Sequence, residues 1–189
     1  TEEKDRCEKA IKLAEEGIKV ALISSGDSGF YGMAGLLLEL IQKVNKEFRP
    51  SFEVHPGISS MQLAAALGGA PLMNDFCSIS LSDKLTPWES IEKRIEGALF
   101  GDFVIAIFNP QSLGRKWQLK RAIELCLGYR PGNTPVLVGR QVGRENQSKS
   151  FFSLDSIPLQ DIDMLSIIII GNSKTTLVDE IFLTPRGYL

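Results

Sequence analysis

Short apolar runs alternate with longer segments of helical spacing along this sequence, and this alternation constrains the fold more than any other feature. The runs are rich in Val, Ile, Leu and Phe, and most of them end at glycine, proline or small polar residues. Such runs are typical of buried strands, and strand–helix alternation is typical of a parallel α/β sheet. We therefore predict an α/β fold with strands at residues 19–24, 52–54, 77–81, 102–108, 134–139, 150–153 and 166–170.

Helices are predicted between these strands. Cys7, Ala10 and Ile11 have helical spacing, and Gly17 suits the C-terminal cap of that helix. Thr86-Pro87-Trp88-Glu89 carries the N-cap, N1 and N3 residues of a helix start. The predicted helices cover residues 3–16, 32–45, 59–66, 86–100 and 117–127.

A segment of small residues and proline, residues 70–74, separates two groups of predicted elements. With 189 residues the chain has room for one ordinary domain or two small ones. We predict a first domain at residues 1–73 and a second domain at residues 74–189.

Composition excludes several classes of function. A net charge of −2 disfavours a broadly basic surface for nucleic acid. Three widely spaced cysteines, no Cys-x-x-Cys and a single histidine predict no metal site, and they suit small buried thiols in a reducing cytoplasm. No apolar run approaches the ~20 residues of a membrane span, and the charged start of the chain predicts no signal peptide.

Ligands of open α/β sheets bind beyond the carboxyl ends of the strands. Small and polar residues follow several predicted strands, where glycine permits close approach of a ligand to the backbone. These segments are either ligand-binding loops or ordinary strand-to-helix turns, and they are Ser25-Gly26-Asp27-Ser28-Gly29, Pro56-Gly57-Ile58-Ser59-Ser60, Phe108-Asn109-Pro110 and Gly171-Asn172-Ser173.

The glycine-rich loop at residues 25–29 does not have a nucleotide-phosphate motif, since it is neither G-x-G-x-x-G nor a P-loop. Asp27 has the wrong sign for phosphate and suits a hydroxyl group or a cation. His55 precedes a Pro-Gly turn, where a turn or packing role is the expectation. No Ser-His-Asp arrangement is supported.

Arg115, Lys116, Lys120 and Arg121 form a basic cluster at helical spacing. The cluster is either a solvated helix face or a site for the carboxylates of a polyanionic substrate, and Arg140 adds to the second possibility. Asp83 lies just after a predicted strand, where helix capping is the simpler interpretation.

Longer motifs carry a resemblance to a known family. Ser-Ser-Gly-Asp-Ser-Gly-Phe-Tyr-Gly (24–32) and Pro-Gly-Ile-Ser-Ser (56–60) resemble the tetrapyrrole methylase superfamily. The second half of the chain is similar to its precorrin-3B C17-methyltransferase (cobalt-factor III methyltransferase) branch, in cobalamin biosynthesis. The motifs are Ile-Ser-Leu-Ser-Asp-Lys-Leu-Thr-Pro-Trp-Glu (79–89), Phe-Asn-Pro-Gln-Ser-x-Gly-Arg-x-Trp-Gln (108–118), Ile-Ile-Gly-Asn-Ser (169–173) and Thr-Pro-Arg-Gly-Tyr (184–188).

The resemblance implies two α/β domains with a cleft between them, a mostly parallel sheet in the first domain, a mixed sheet in the second and a homodimer. It implies S-adenosyl-L-methionine as cofactor and S-adenosyl-L-homocysteine as product. By motif, the cofactor contacts would be Gly26, Asp27, Ser28, Ser59, Ser60, Asn109, Val142 and Ile170.

The implied reaction is methyl transfer to C17 of a corrinoid precursor with ring contraction. Asp83 or Asp27 would move the proton that contraction needs. Arg115, Lys116 and Arg140 would anchor substrate carboxylates. The alternatives are a methyltransferase of the superfamily acting at another position or on another substrate, and a cofactor-binding but catalytically incomplete fragment.

Two departures from the family pattern bear on these expectations. Ser28 stands where many relatives have proline, which leaves the backbone groups of the loop available. The family opens on a strand and a Gly-Pro-Gly loop, whereas this sequence begins on a predicted helix. We therefore expect the first strand of the first domain to be missing.

Overall fold

The computed structural model describes residues 2–112 and 114–188 and divides into two units, Thr1–Ser59 and Ser60–Leu189. The predicted domain boundary between residues 73 and 74 lies inside the second unit. The division falls earlier because the helix Ser60–Gly68 packs on strands of the second unit, where Gly68 lies against Leu137.

Helices α1 (Glu2–Glu15) and α2 (Met33–Ile41) pack against each other in the first unit. The predicted apolar stripe of α1 is buried, at Cys7, Ala10 and Ile11. Gly17, with a φ of +83°, ends the helix in the left-handed region that favours glycine. The sequence therefore predicted this end of the helix correctly.

The strands predicted at residues 19–24 and 52–54 are not formed. Both segments are unpaired in the described part of the first unit, and most of their apolar side chains are exposed, Ile23 by 83% and Phe52 by 52%. A strand requires a neighbouring backbone for its hydrogen bonds, and no described segment supplies one here. The mostly parallel sheet predicted for the first domain is thus not confirmed.

In the second unit, helix α3 (Ser60–Gly68) leads into the short strand β1 (Gly69–Ala70). The main sheet contains β2 (Phe76–Ser80), β3 (Val104–Phe108), β4 (Pro135–Arg140), β5 (Ser148–Ser153) and β6 (Ser166–Ile170), in the order β2-β3-β6-β4-β5. β2 and β3 are parallel, and the other pairs are antiparallel. The sheet is therefore mixed, as the resemblance implied for this half of the chain.

The core of the second unit lies between this sheet and helices α4 (Trp88–Phe100) and α5 (Trp117–Tyr129). The apolar runs of the central strands are buried along their length, as the sequence predicted. Two 3₁₀ turns, Leu154–Ser156 and Leu159–Asp161, also contribute to this core. Its fully buried large side chains include Leu81, Ile91, Ile95, Ile105, Ile107, Leu119, Leu154 and Ile168.

A second, three-stranded sheet has the order β1-β8-β7, with β7 (Thr176–Val178) and β8 (Ile181–Leu183). Gly69 has a φ of +137°, and a Cβ there would lie 2.6 Å from the carbonyl oxygen of Phe182. Glycine therefore permits the close approach of β1 to β8. The sequence did not predict this sheet, because its strands are too short to show a period.

Candidate functional site

Asp27 joins two loop segments of the first unit, residues 25–29 and 55–58, together called the Asp27 loop here. Its Oδ2 accepts a hydrogen bond of 2.9 Å from the amide of Gly57, and its Oδ1 accepts one of 2.8 Å from the amide of Gly29. These bonds, that from Gly57 first, hold the pKa of Asp27 below its ordinary value because they stabilise the ionised carboxylate. Ser28 adds a second connection, since its hydroxyl donates to the carbonyl of His55 at 2.9 Å.

Glycine is required where the two segments of the Asp27 loop cross. A Cβ on Gly57 would overlap the carbonyl oxygen of Gly26, so no larger residue fits without opening the crossing. Gly26 itself has a φ of +71°, in the left-handed region. The glycines that the sequence marked as permitting close approach of a ligand therefore also permit close approach of one loop segment to the other.

The Asp27 loop keeps backbone donors available. Within residues 2–112 and 114–188, the amides of Gly26, Asp27 and Ser28 find no hydrogen-bond acceptor. Consecutive free amides suit a ligand rich in hydroxyl, carboxylate and ring-nitrogen acceptors. Ser59, next to the loop, is 4% exposed, and Ser60 is the first residue of α3.

Polar side chains gather at the carboxyl ends of the parallel strands β2 and β3 of the second unit. We call Ser80, Asp83, Asn109, Arg115 and Gln118 the carboxyl-end cluster. The amide of Asn109 donates to Ser80 Oγ at 2.9 Å, and Asn109 has a φ of +50°. A polar cluster at this edge fits the rule for ligand sites in α/β sheets, as the sequence predicted for Asn109.

Arg115 does not have the exposed position that the sequence suggested. It is 7% exposed, and its Nη1 donates to the carbonyls of Leu81 at 2.9 Å and Asn109 at 3.1 Å. The backbones of Ser112 and Arg115 bond to each other at 3.0 and 3.1 Å, which holds the backbone of Arg115 in place. Arg115 thus connects the segments that follow β2 and β3, and its geometry does not support the predicted contact with substrate carboxylates.

Gln118 is a functional candidate that sequence reasoning missed. Its side chain is 2% exposed, and its Nε2 donates to Asp83 Oδ2 at 2.9 Å. Asp83 is half-buried, and Oδ1 has no donor in the described part of the chain. A signal was available: Gln118 lies four residues before Ala122 and eight before Cys126, on the buried face of α5, where an uncharged polar residue is unexpected.

The predicted cations differ in how exposed and engaged they are. Lys116 is exposed at the start of α5, without an ion pair among the described residues. Arg140 donates to Asp163 Oδ2 from Nε at 3.0 Å and from Nη2 at 2.7 Å. Burial by itself would raise the pKa of Asp163, but the bonds from Arg140, Ser166 and Leu165 outweigh it and lower that pKa. Lys116 is therefore the freer of the two for an anionic ligand.

The two tentative cofactor contacts lie at opposite edges of the main sheet. Val142 follows β4, whose carboxyl end is on the same edge as Asn109. Ile170 is fully buried and pairs with Ile105 and Val136, near the opposite ends of β3 and β4. The reason is that β6 runs antiparallel to both neighbours, which the sequence does not reveal. Ile170 therefore does not join Asn109 and Val142.

Neither a metal centre nor a membrane span is found in the described residues. No three His, Cys, Asp or Glu side chains there are grouped so that they could hold an ion. No helix of that part of the chain is both long and apolar enough to cross a bilayer.

The sequence of this chain matches a known protein family. Residues 1–158 match the family described as Tetrapyrrole (Corrin/Porphyrin) Methylases. The chain belongs to this family. It is 49% identical over 186 residues to a probable cobalt-factor III C(17)-methyltransferase of Salmonella typhimurium, covering 97% of the chain and 76% of the relative. It is 48% identical to a cobalt-factor III methyltransferase of Priestia megaterium, covering all of the chain but 35% of that longer relative.

A solved structure of the methyltransferase CobJ is similar over 97% of this tetrapyrrole methylase and 77% of the CobJ chain. The TM-score is 0.91 and the sequence identity is 37%. The likeness supports the described fold of the methylase.

Proposed function

We propose that the chain transfers a methyl group from S-adenosylmethionine to C17 of cobalt-factor III or precorrin-3B, with ring contraction, in cobalamin biosynthesis. The observation that carries this proposal is the 49% identity over nearly the whole chain to a relative named for that reaction. The named relatives from Salmonella and Priestia both act, by their names, on cobalt-factor III, which favours the cobalt-containing substrate.

The Asp27 loop fits the cofactor. S-adenosylmethionine carries hydroxyls, a carboxylate and ring nitrogens, and the free amides of Gly26, Asp27 and Ser28 are matching donors. The bound cofactor would supply an electrophilic methyl group on a sulfonium. Asp27 would keep these amides in place through its bonds to Gly29 and Gly57. Ser59 and Ser60, and in the second unit Asn109 and Val142, stay proposed contacts.

Asp83 is the better of the two candidate acid–base residues. Both oxygens of Asp27 accept backbone amides, and its lowered pKa opposes protonation. Asp83 uses one oxygen for Gln118, so the other can accept or donate a proton. Methyl transfer leaves positive charge on the tetrapyrrole. A carboxylate can stabilise that charge, or it can remove a proton from the tetrapyrrole and so neutralise the charge.

Substrate carboxylates would meet Lys116, together with Lys120 one turn further along α5. Both side chains are exposed. Arg140 would contribute only if it exchanged its bond to Asp163 for one to the substrate. Arg115 would act indirectly, by fixing the backbone at Leu81.

The test is a turnover assay of the full chain with labelled S-adenosylmethionine and either cobalt-factor III or metal-free precorrin-3B. We expect label in a ring-contracted product, faster with the cobalt substrate. Calorimetry with S-adenosylhomocysteine runs in parallel. Binding without turnover of either substrate would favour the cofactor-binding fragment, and turnover of a different tetrapyrrole would favour the other superfamily activity.

Assembly as a homodimer and a cytoplasmic location are further parts of the proposal. All three cysteines are free, which suits a reducing compartment. Sedimentation of the purified chain tests the dimer, and fractionation of the cells that make it tests the location.

A further inference from the structure

We propose that Gln118 is a positioning residue whose amide holds the carboxylate of Asp83 in the orientation that its proton transfer requires. The inference rests on the proposed function and on the role of Asp83 in it. It adds a residue that acts on the reaction through another side chain.

The geometry joins a rigid element to a loop. Gln118 lies in the first turn of α5, fixed by helix packing and 2% exposed. Asp83 lies in the loop after β2, and the 2.9 Å bond from Gln118 Nε2 to Asp83 Oδ2 spans 35 residues of sequence. With Oδ2 held, the rotation of the carboxylate that would move Oδ1 is restricted, and no described residue donates to Oδ1. A proton-transferring carboxylate needs such a fixed free oxygen.

Arg115 fixes the same loop at its backbone. Its Nη1 donates to the carbonyl of Leu81, two residues before Asp83, and to the carbonyl of Asn109. Asp83 is thus held on both sides: its backbone through Leu81 and its side chain through Gln118. Both supports come from the amino-terminal end of α5 and the turn before it.

Packing alone does not account for these polar residues. Gln118 Oε1 and Arg115 Nε are buried and have no partner in the described structure. Burying unsatisfied polar atoms lowers stability, and at position 118 an apolar side chain of similar size would avoid that cost. A glutamine at this position is therefore better explained by what it does to Asp83 than by what it adds to the core.

A structural role and a positioning role differ in one measurable way. If Gln118 only ties α5 to the loop, its loss lowers the rate whether or not residue 83 is an acid. If it acts through Asp83, its loss has no further effect once Asp83 is neutralised. A double-mutant cycle separates the two.

The cycle compares the wild type with Gln118→Met, Asp83→Asn and the double variant. Methionine has nearly the same shape as glutamine but has no hydrogen-bond donor. Gln160→Met and Asp161→Asn, both at exposed positions of the same unit, are the matched controls. kcat and KM are measured with cobalt-factor III and S-adenosylmethionine. We expect kcat to fall about 100-fold in Asp83→Asn and about tenfold in Gln118→Met, with the double variant within about twofold of Asp83→Asn. KM for the cofactor should not change.

If kcat fell about 1,000-fold in the double variant, which is the product of the two single effects, the inference would be overturned. The role of Asp83 would stay intact. An unchanged kcat in Asp83→Asn would instead overturn the role of Asp83, and the inference with it. If Gln118→Met does not fold, Gln118→Asn keeps the amide but cannot reach Asp83, and it must give the same non-additive result.

Discussion

The Asp27 loop and the carboxyl-end cluster differ in which polar groups they hold in place and in how they hold them. In the first, glycines and a carboxylate bonded to amides arrange exposed backbone donors. In the second, buried Arg115 and Gln118 hold a polar side chain and two carbonyls in place. Under the proposed function, the backbone donors would bind the cofactor, and the oriented carboxylate would transfer a proton. The difference suggests that one region serves cofactor affinity and the other serves the chemical step.

The largest effect on stability should come from Arg115→Met. This change leaves the carbonyls of Leu81 and Asn109 without their shared donor, and it should lower the free energy of unfolding by about 3 kcal/mol. Denaturant unfolding followed by tryptophan fluorescence measures it, since Trp88 and Trp117 both lie in the second unit. Lys116→Met, an exposed neighbour, should stay within about 0.5 kcal/mol of wild type. Equal effects would show that Arg115 does not support the cluster.

Gly57→Ala should disrupt the Asp27 loop. The new Cβ overlaps the carbonyl oxygen of Gly26, so the crossing must open, at a cost of about 2 kcal/mol, and the Kd for S-adenosylhomocysteine should rise at least about tenfold. Gly35→Ala is the matched control, because nothing lies near a Cβ there and alanine favours the interior of α2. Unchanged affinity in Gly57→Ala would remove the Asp27 loop from the cofactor site.

Asp27→Asn should have a smaller and pH-dependent effect. Because the folded pKa is depressed, the stability that Asp27 contributes is present above its unfolded pKa of about 3.8 and is lost as the pH falls through the folded value. The melting temperatures of wild type and variant should therefore differ most above about pH 4 and converge in stronger acid. A constant difference across that range would argue against the bonds from Gly57 and Gly29.

The smallest effect should be that of Arg140→Gln. Its ion pair with Asp163 is about half exposed, so we expect a loss of at most about 0.5 kcal/mol that shrinks in high salt. KM for the tetrapyrrole tests its proposed secondary role: a large rise in KM would place Arg140 among the principal substrate contacts, and Lys116→Gln is the variant for comparison.

The sequence predicted most of the second unit, because its signals there are local. Apolar runs and the Thr86-Pro87 helix start predicted β3, β6 and α4 to within a few residues. It also predicted that Asn109 directly follows β3, where the carboxyl ends of the parallel strands meet. Two further predictions depended on strand neighbours that a local pattern does not specify. The segments 19–24 and 52–54, predicted as strands, find no pairing partner among the described residues. Ile170 lies at the opposite edge because β6 is antiparallel.

The candidate site was predicted less well than the fold. Arg115 carries a charge and was predicted to be exposed, but it is buried and bonded to two backbone carbonyls, which the sequence pattern did not show. Gln118 carries no charge and received no role, although its place on the apolar face of α5 was visible. A polar residue on the apolar face of a predicted helix is therefore as good a candidate for a functional residue as a charged motif.

The most direct test of the division between the two regions is a comparison of KM for S-adenosylmethionine and kcat in Gly57→Ala and Asp83→Asn. We predict that Gly57→Ala raises KM at least about tenfold and keeps kcat within about threefold, whereas Asp83→Asn keeps KM and lowers kcat about 100-fold. If Asp83→Asn raised KM as much as Gly57→Ala does, or if both variants lowered kcat alone, the assignment of binding to one region and chemistry to the other would be contradicted.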